Sequence, residues 1–385
     1  MRPARQKTGL YNIFVWLLLS PVGLPRAVLC GPHEGVVGSG VTGKRQLLAA
    51  TPRAAPTPAP SPGGPACVVY QNPVLAQDFP DPSSPVLGVD GWYYSFATNA
   101  DEKNIQVVKS YSTDFGFWMY DDRDGMPTLP SWSRGTAGTV WAPEVAYIDG
   151  QFVMYYSAED ISIGGLCIGI ATSSLAGGPY TPINASQPLI CAPGYPGVID
   201  PYPFQDSDGG WYLYWRRPLS ANDSTPIIEV QAMSSDGMSL QGNVSELIRP
   251  DQFWEFHNDT TGVVEAPAVQ RCYSNTRYCL FYSGSPCCTY GEYYAVGLAT
   301  ATSPYGPFTK WPTNPILGRN QGIAGPGGIG FARPSAVQTY AMYTAWNNVT
   351  YEYRGLNMDL MQLNPVNTSV PVGFINPSVG KLVCQ

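Results

Sequence analysis

Histidine is almost absent from this chain: there are two in 385 residues, and only His257 lies beyond the N-terminal region. That scarcity argues against a zinc site built on imidazoles. Long amphipathic helical stretches are missing too, which points away from a helical fold. After the first thirty residues no segment approaches the length needed to cross a bilayer. Basic residues are few. Past residue 66 there are 14 against 27 acidic ones, a formal charge of −13, which argues against nucleic acid and anionic membranes as partners. A neutral polymer such as a polysaccharide is compatible with that surface.

The N-terminus carries what the rest lacks. Arg2, Arg5 and Lys7 precede the apolar run Tyr11 to Leu19, which Pro21 closes before Ala27-Val-Leu-Cys30. A basic start, a short apolar run and small residues near a break read as a signal peptide over residues 1–30 and imply a secreted, extracellular protein; a signal anchor is the alternative. Residues 31–66 read as a disordered linker, its latter part (Leu47 to Ala66) rich in Pro, Ala, Thr and Ser and unable to bury a core. Residues 67–385 then form the folded domain. Nine cysteines suit an oxidising compartment. Without Cys30 eight remain: Cys272 with Cys279 flank a hairpin turn, Cys167 with Cys191 bracket a short excursion, and Cys67 with Cys384 would fasten the domain's two ends. The pairing of the adjacent Cys287 and Cys288 stays open. Sequons at Asn184, Asn222, Asn243, Asn258, Asn348 and Asn367 fit a glycosylated secreted protein.

Beyond residue 67, short aromatic and β-branched runs alternate with Gly, Pro, Asn and Asp, the pattern of an all-β fold. One phrase recurs: a leading residue, proline, a short apolar strand, a polar turn, an aromatic strand. Copies begin near Asp81, Trp141, Asp200, Glu265 and Gly325, a period of about sixty residues. A second echo pairs Ile168-Gly-Ile-Ala-Thr-Ser with Val296-Gly-Leu-Ala-Thr-Ala. Five repeats of that size read as a five-bladed β-propeller, closed by its first or last strand; a β-sandwich would explain the strands but not the spacing.

In a propeller the first strand of each blade lines the central channel, so Asp81, Asp200 and Glu265 are expected to converge. Three carboxylates in one pocket repel one another, and burial raises the pKa of the least stabilised, which separates an acid from a base. Glycoside hydrolysis needs that separation. Trp141, at the leading place of the second phrase, would stack on a sugar ring as a substrate-binding residue or pack between blades. Glu144 and Asp78 are expected to make structural hydrogen bonds, with Asp78 sent to the opposite face by its odd offset from Asp81. Arg216, Arg217 and Arg354 could contact sugar hydroxyls, though ion pairs are the better expectation.

Asp78-Phe-Pro-Asp81-Pro-Ser, Trp141-Ala-Pro-Glu-Val, Val198-Ile-Asp200-Pro, Val264-Glu265-Ala-Pro, Trp346 and Arg354-Gly-Leu-Asn-Met-Asp, in that order, closely resemble glycoside hydrolase family 43. The resemblance covers residues 70 to 384. It implies a five-bladed propeller that cleaves glycosidic bonds with inversion, with Asp81 as general base, Glu265 as general acid and Asp200 tuning the acid. Arabinanase, α-L-arabinofuranosidase and β-xylosidase activities share these acids in the family. The sequence ends at Gln385 without the sandwich domain many of the xylosidases carry, which favours arabinan-directed action. A carbohydrate-binding propeller without catalysis would be expected to lack an acid, and none is missing. No cofactor is expected: many members hold a channel ion, often calcium, with a histidine where this chain has Gly328. The expected partner is the saccharide substrate alone, with the protein a monomer.

Overall fold

The computed structural model describes residues 70–375, apart from residues 101, 112–115, 135–138, 193, 195, 257–261, 289–292, 320–321, 335–337, 348–351 and 366–371. The signal peptide, the linker, His257, three of the sequons and the Cys67–Cys384 pairing lie outside the described residues. The strands form five antiparallel sheets in chain order. Blade one contains Val86–Leu87, Trp92–Ala97, Gln106–Tyr111 and Met119–Asp121. Blade two contains Val140–Ile148, Gln151–Glu159, Leu166–Ser173 and Thr181–Pro182, with Ile190–Cys191 added against its third strand. Blade three contains Ile199–Gln205, Trp211–Ser220, Asp223–Met233 and Leu240–Ile248. Blade four contains Val264–Cys272, Arg277–Gly284, Ala295–Ala301 and Thr309–Lys310, and blade five Ile323–Ala332, Thr339–Asn347, Arg354–Gln362 and Gly373–Ile375. This is the five-bladed β-propeller that the repeats imply.

Radial sheets are covered on both faces, so their second strands read as continuous apolar runs instead of alternating ones. Phe152 to Ala158 is buried throughout in blade two, and Tyr278 to Gly284 in blade four. The core lies between blades. Separate clusters join blades one and two, two and three, and three through five, while Phe79, Val108, Tyr340 and Met342 join blade five to blade one. Ring closure uses the N-terminal segment: Leu75 and Leu356 exchange backbone hydrogen bonds of 3.3 and 3.1 Å, and the Phe79 amide donates to the Arg354 carbonyl at 3.0 Å. Two of the expected disulfides form, Cys167–Cys191 and Cys272–Cys279, and Cys287 pairs with its neighbour Cys288. The described sequon residues Asn184, Asn222 and Asn243 are exposed.

Candidate active site

The five phrases meet at the axis, around a small cavity of about 30 Å³ lined by Asp81-Pro82, Ala142-Pro143, Asp200-Pro201, Ala266-Pro267 and Gly328-Ile329, with Glu144 and Tyr202. The first residue of each pair has a left-handed backbone, with φ of 54°, 42°, 59°, 47° and 59° in chain order. In blades two to five it sits where the strand's register slips by a bulge. Proline follows in four of the five, which an edge strand facing the channel accepts because it needs no amide there. This register corrects the sequence alignment. Asp81 and Asp200 are equivalent, but they match Ala142, Ala266 and Gly328; Glu265 and Trp141 stand one residue earlier, and the fifth phrase is anchored at Gly328 instead of Gly325.

The left-handed amides are bound across blade junctions. Ala142 N–H donates to Thr98 Oγ1 at 3.0 Å, Asp200 N–H to Ser157 Oγ at 3.2 Å, and Gly328 N–H to Ser283 Oγ at 3.0 Å. Blade three breaks the pattern. Ser157 and Ser283 face Trp141 and Glu265 in the strand register, whereas Arg216 faces Ile199. With no hydroxyl there, Asp200 Oδ2 itself accepts the Ala266 N–H at 2.9 Å. Asp200 is thereby bonded to the residue after Glu265. Thr98 in turn donates to Asp81 Oδ2 at 2.6 Å.

Above the channel a pocket of about 520 Å³ brings together Asp81, Asp200, Glu265, Trp141, Tyr294 and Arg354, with Pro80, Ile199 and the Cys287–Cys288 pair in its walls. Burial pushes the Asp200 carboxyl up to about 8, and the charges of Glu265 and Asp81 add to that, against the Ala266 amide and Arg216. Burial likewise raises Glu265, while Arg216 and the Tyr294 hydroxyl, which donates to Glu265 Oε1 at 2.8 Å, pull it back. The pair therefore keeps a proton at pH values where an isolated carboxylate has lost it. The pocket has what acid–base cleavage of an acetal requires: a protonated carboxyl, further carboxylates beside it, and an aromatic face. The sequence profile described as glycosyl hydrolases family 43 matches residues 70–367.

The chain belongs to that family. It is 25% identical over 314 residues to the β-D-galactofuranosidase xynD of Aspergillus niger, covering 74% of this chain and 83% of that one. It is 24% identical over 261 residues to arabinan endo-1,5-α-L-arabinosidase A of the same species, covering 63% and 74%. The crystal structure of a thermostable family 43 glycoside hydrolase superposes with a TM-score of 0.68 at 28% identity, covering 80% of this chain and 97% of that one. Family 43 membership makes the protein a glycosidase acting on a saccharide.

Other site residues of this family 43 chain depart from expectation. Arg217 makes the expected ion pair, with Nε and Nη2 each 2.7 Å from Glu229 carboxylate oxygens. Arg354 instead lines the pocket with the acids, its guanidinium 6.0 Å from the Trp346 ring, and the charges of Arg216 and Arg354 both lower Glu265. Asp78 keeps a structural bond, accepting the Arg354 N–H at 3.0 Å, yet it lines the same pocket as Asp81 and not an opposite face. Glu144 is structural as expected: its two oxygens lie 2.9 and 3.1 Å from the Ser84 amide, and burial raises its pKa to about 8. Tyr294 and Thr98 carry no repeat signal and escape sequence reasoning, as does the place of Arg216 beside the acids.

The calcium that the family resemblance places in the channel would take roughly 6–8 oxygen ligands; the cavity there is about 30 Å³, and its bordering carboxylates accept hydrogen bonds from Thr98, Ala266 and Ser84. Position 328 cannot carry the missing imidazole without rearrangement, since a Cβ there would lie 3.3 Å from the Asp81 Cα and Oδ1, at a left-handed φ of 59°.

Proposed function

We propose that the protein is a secreted, inverting glycosidase that cleaves arabinan or arabinoxylan, as an endo-1,5-α-L-arabinosidase or an α-L-arabinofuranosidase. Glu265 protonates the departing sugar oxygen, Asp81 activates the attacking water, and Asp200 orients Glu265 through the Ala266 amide and sets its charge environment. Trp141 offers its face to a sugar ring. The supporting observation is the convergence of all three acids and Trp141 on one pocket. No cofactor is required in this reading, because the three acids carry every step. Secretion is supported by the disulfides and the exposed sequon residues.

Wild-type protein offered linear arabinan and the aryl glycosides of α-L-arabinofuranose, β-D-xylose and β-D-galactofuranose decides the sugar. The reading expects arabinan and the arabinofuranoside to be cut, with the product's first-formed anomer inverted in proton NMR. Cleavage of the xyloside alone would make it a β-xylosidase, and cleavage of the galactofuranoside alone would follow the relative of that name. Sugar binding without any hydrolysis would leave only a carbohydrate-binding propeller.

A further inference from the structure

We propose that the Cys287–Cys288 disulfide is a binding platform for the leaving-group sugar, placed on the acid's side of the pocket. The pair follows the strand Arg277–Gly284 in blade four, the blade whose first strand carries Glu265, and it precedes Tyr294, whose hydroxyl donates to Glu265 at 2.8 Å. Cys288 Sγ lies 3.6 Å from Arg354 Nη1, and both residues line the pocket. Arg354, which touches Cys288, also acts by its charge on Glu265, and this common neighbour is what ties the two sulfurs to the acid's side, where the leaving sugar departs.

Cross-linking does not account for the bond. It joins residues already linked by a peptide bond, so it removes little freedom from the unfolded chain, unlike Cys167–Cys191 with its separation of 24. Its effect is on the surface. Two thiols with mobile side chains become one fixed, polarisable, apolar ledge with no hydrogen to donate. Such a ledge suits the C–H face of a sugar, and little side-chain entropy is lost when the sugar lands on it. The approach to the ledge is also held: buried Ser285 donates its hydroxyl to the Trp254 carbonyl. The Trp254 indole in turn fills space that side chains at Gly284 and Gly297 would need, 2.6 and 2.8 Å from a Cβ at either.

The inference rests on Glu265 being the acid, and the test separates the two ideas. The Cys287→Ala/Cys288→Ala variant is compared with wild type on the oligosaccharide that wild type cuts, whichever sugar that proves to be. KM is read for that substrate, and the inhibition constant for the free glycone monosaccharide. Loss of the ledge is expected to raise KM about fivefold to tenfold, the value of burying one small apolar group. The monosaccharide constant and the melting temperature should stay at their wild-type values. An unchanged KM in the folded variant, or equal weakening of substrate and monosaccharide, overturns the proposal. A variant that does not fold is replaced by wild-type protein reduced with a phosphine until peptide mapping shows only the 287–288 bond opened, with the same readings. A wrong assignment of Glu265 shows separately, as a Glu265→Ala variant that loses activated and unactivated substrates alike.

Discussion

Asp200 has two jobs that substitution can separate. Its Oδ2 accepts the Ala266 N–H at 2.9 Å, where the junctions at Ala142 and Gly328 use a hydroxyl. Alanine at 200 strands that amide without an acceptor, a cost of about 1–3 kcal/mol; asparagine keeps an oxygen in place. At roughly 2–4 °C per kcal/mol for a large domain, Asp200→Ala is expected at acid pH to melt roughly 2–12 °C below wild type and Asp200→Asn within about 2 °C of it. Both variants lose the ionisable carboxyl beside Glu265, so both should lose activity, by about 10²-fold or more if the proton held by the pair is needed for acid catalysis. The pH dependence gives a second reading. The folded Asp200 carboxyl is raised to about 8, above its unfolded value, so between the two the folded state holds the extra proton. Its contribution is full at acid pH and is lost as pH rises towards 8. Asparagine cannot ionise, so the stability of Asp200→Asn relative to wild type should improve steadily from the ordinary carboxylate range to about pH 8. Thermal melts across that range and kcat on an aryl glycoside supply both readings. Equal melting temperatures for the two variants, or a stability difference flat in pH, would refute the reasoning.

Glu265→Ala should depress hydrolysis of natural linkages far more than of aryl glycosides with good leaving groups, by about 10²–10⁴-fold for the former, while Asp81→Ala depresses both alike; steady-state rates on the two substrate classes check this. Arg216→Met removes a charge that lowers Glu265 and Asp200, so the alkaline limb of the kcat/KM profile should move to higher pH, and a limb moving down would contradict the assignment. Glu144, raised to about 8 by burial, costs stability as pH rises from the ordinary carboxylate range to about 8; Glu144→Gln should therefore gain steadily on wild type in denaturant titrations across that range, with no further gain above it. Fully buried Glu255 holds Lys310 Nζ at 2.7 Å and the Tyr282 hydroxyl at 2.8 Å, so Glu255→Ala should lose about 3–5 kcal/mol in urea unfolding, with part recovered by adding Lys310→Met.

The propeller and its acids were legible because repetition is a long-range signal that survives in single residues. The register within each phrase was not, because the shared feature is a backbone angle. Asp, Ala and Gly all occupy the left-handed position, at energies that differ by about 1–2 kcal/mol and without common chemistry. Proline after that position, at 82, 143, 201 and 267, was the available marker, and aligning on it in preference to the acids would have set Glu265 one place back. Tyr294 reaches Glu265 from just before the strand Ala295–Ala301, 29 residues on, and the side chain that replaces a hydroxyl at Arg216 looks like any charged residue in a strand.

That one-residue offset is what divides the acids. A strict repeat would place all three carboxylates at the bulge, each bound in the same way and each titrating alike. Here Asp81 at the left-handed position takes a hydroxyl hydrogen bond from Thr98, and Asp200 at the equivalent position is committed to the next blade's amide, where Arg216 stands in place of a hydroxyl. Glu265, one residue before its own bulge, is left facing the pocket with Tyr294 as its donor. The symmetry of the fold brings the three groups together, and its local breaks at residues 216 and 265 give them different environments. Restoring the repeat with Arg216→Ser should therefore supply Ala266 with a hydroxyl and loosen Asp200 from it. Asp200→Ala is then expected to cost less stability in the Arg216→Ser background than in wild type, a coupling that a double-mutant cycle measures directly. Additive losses would show that the hydroxyl and the carboxylate do not share that amide, and the account of why the acids differ would have to be given up.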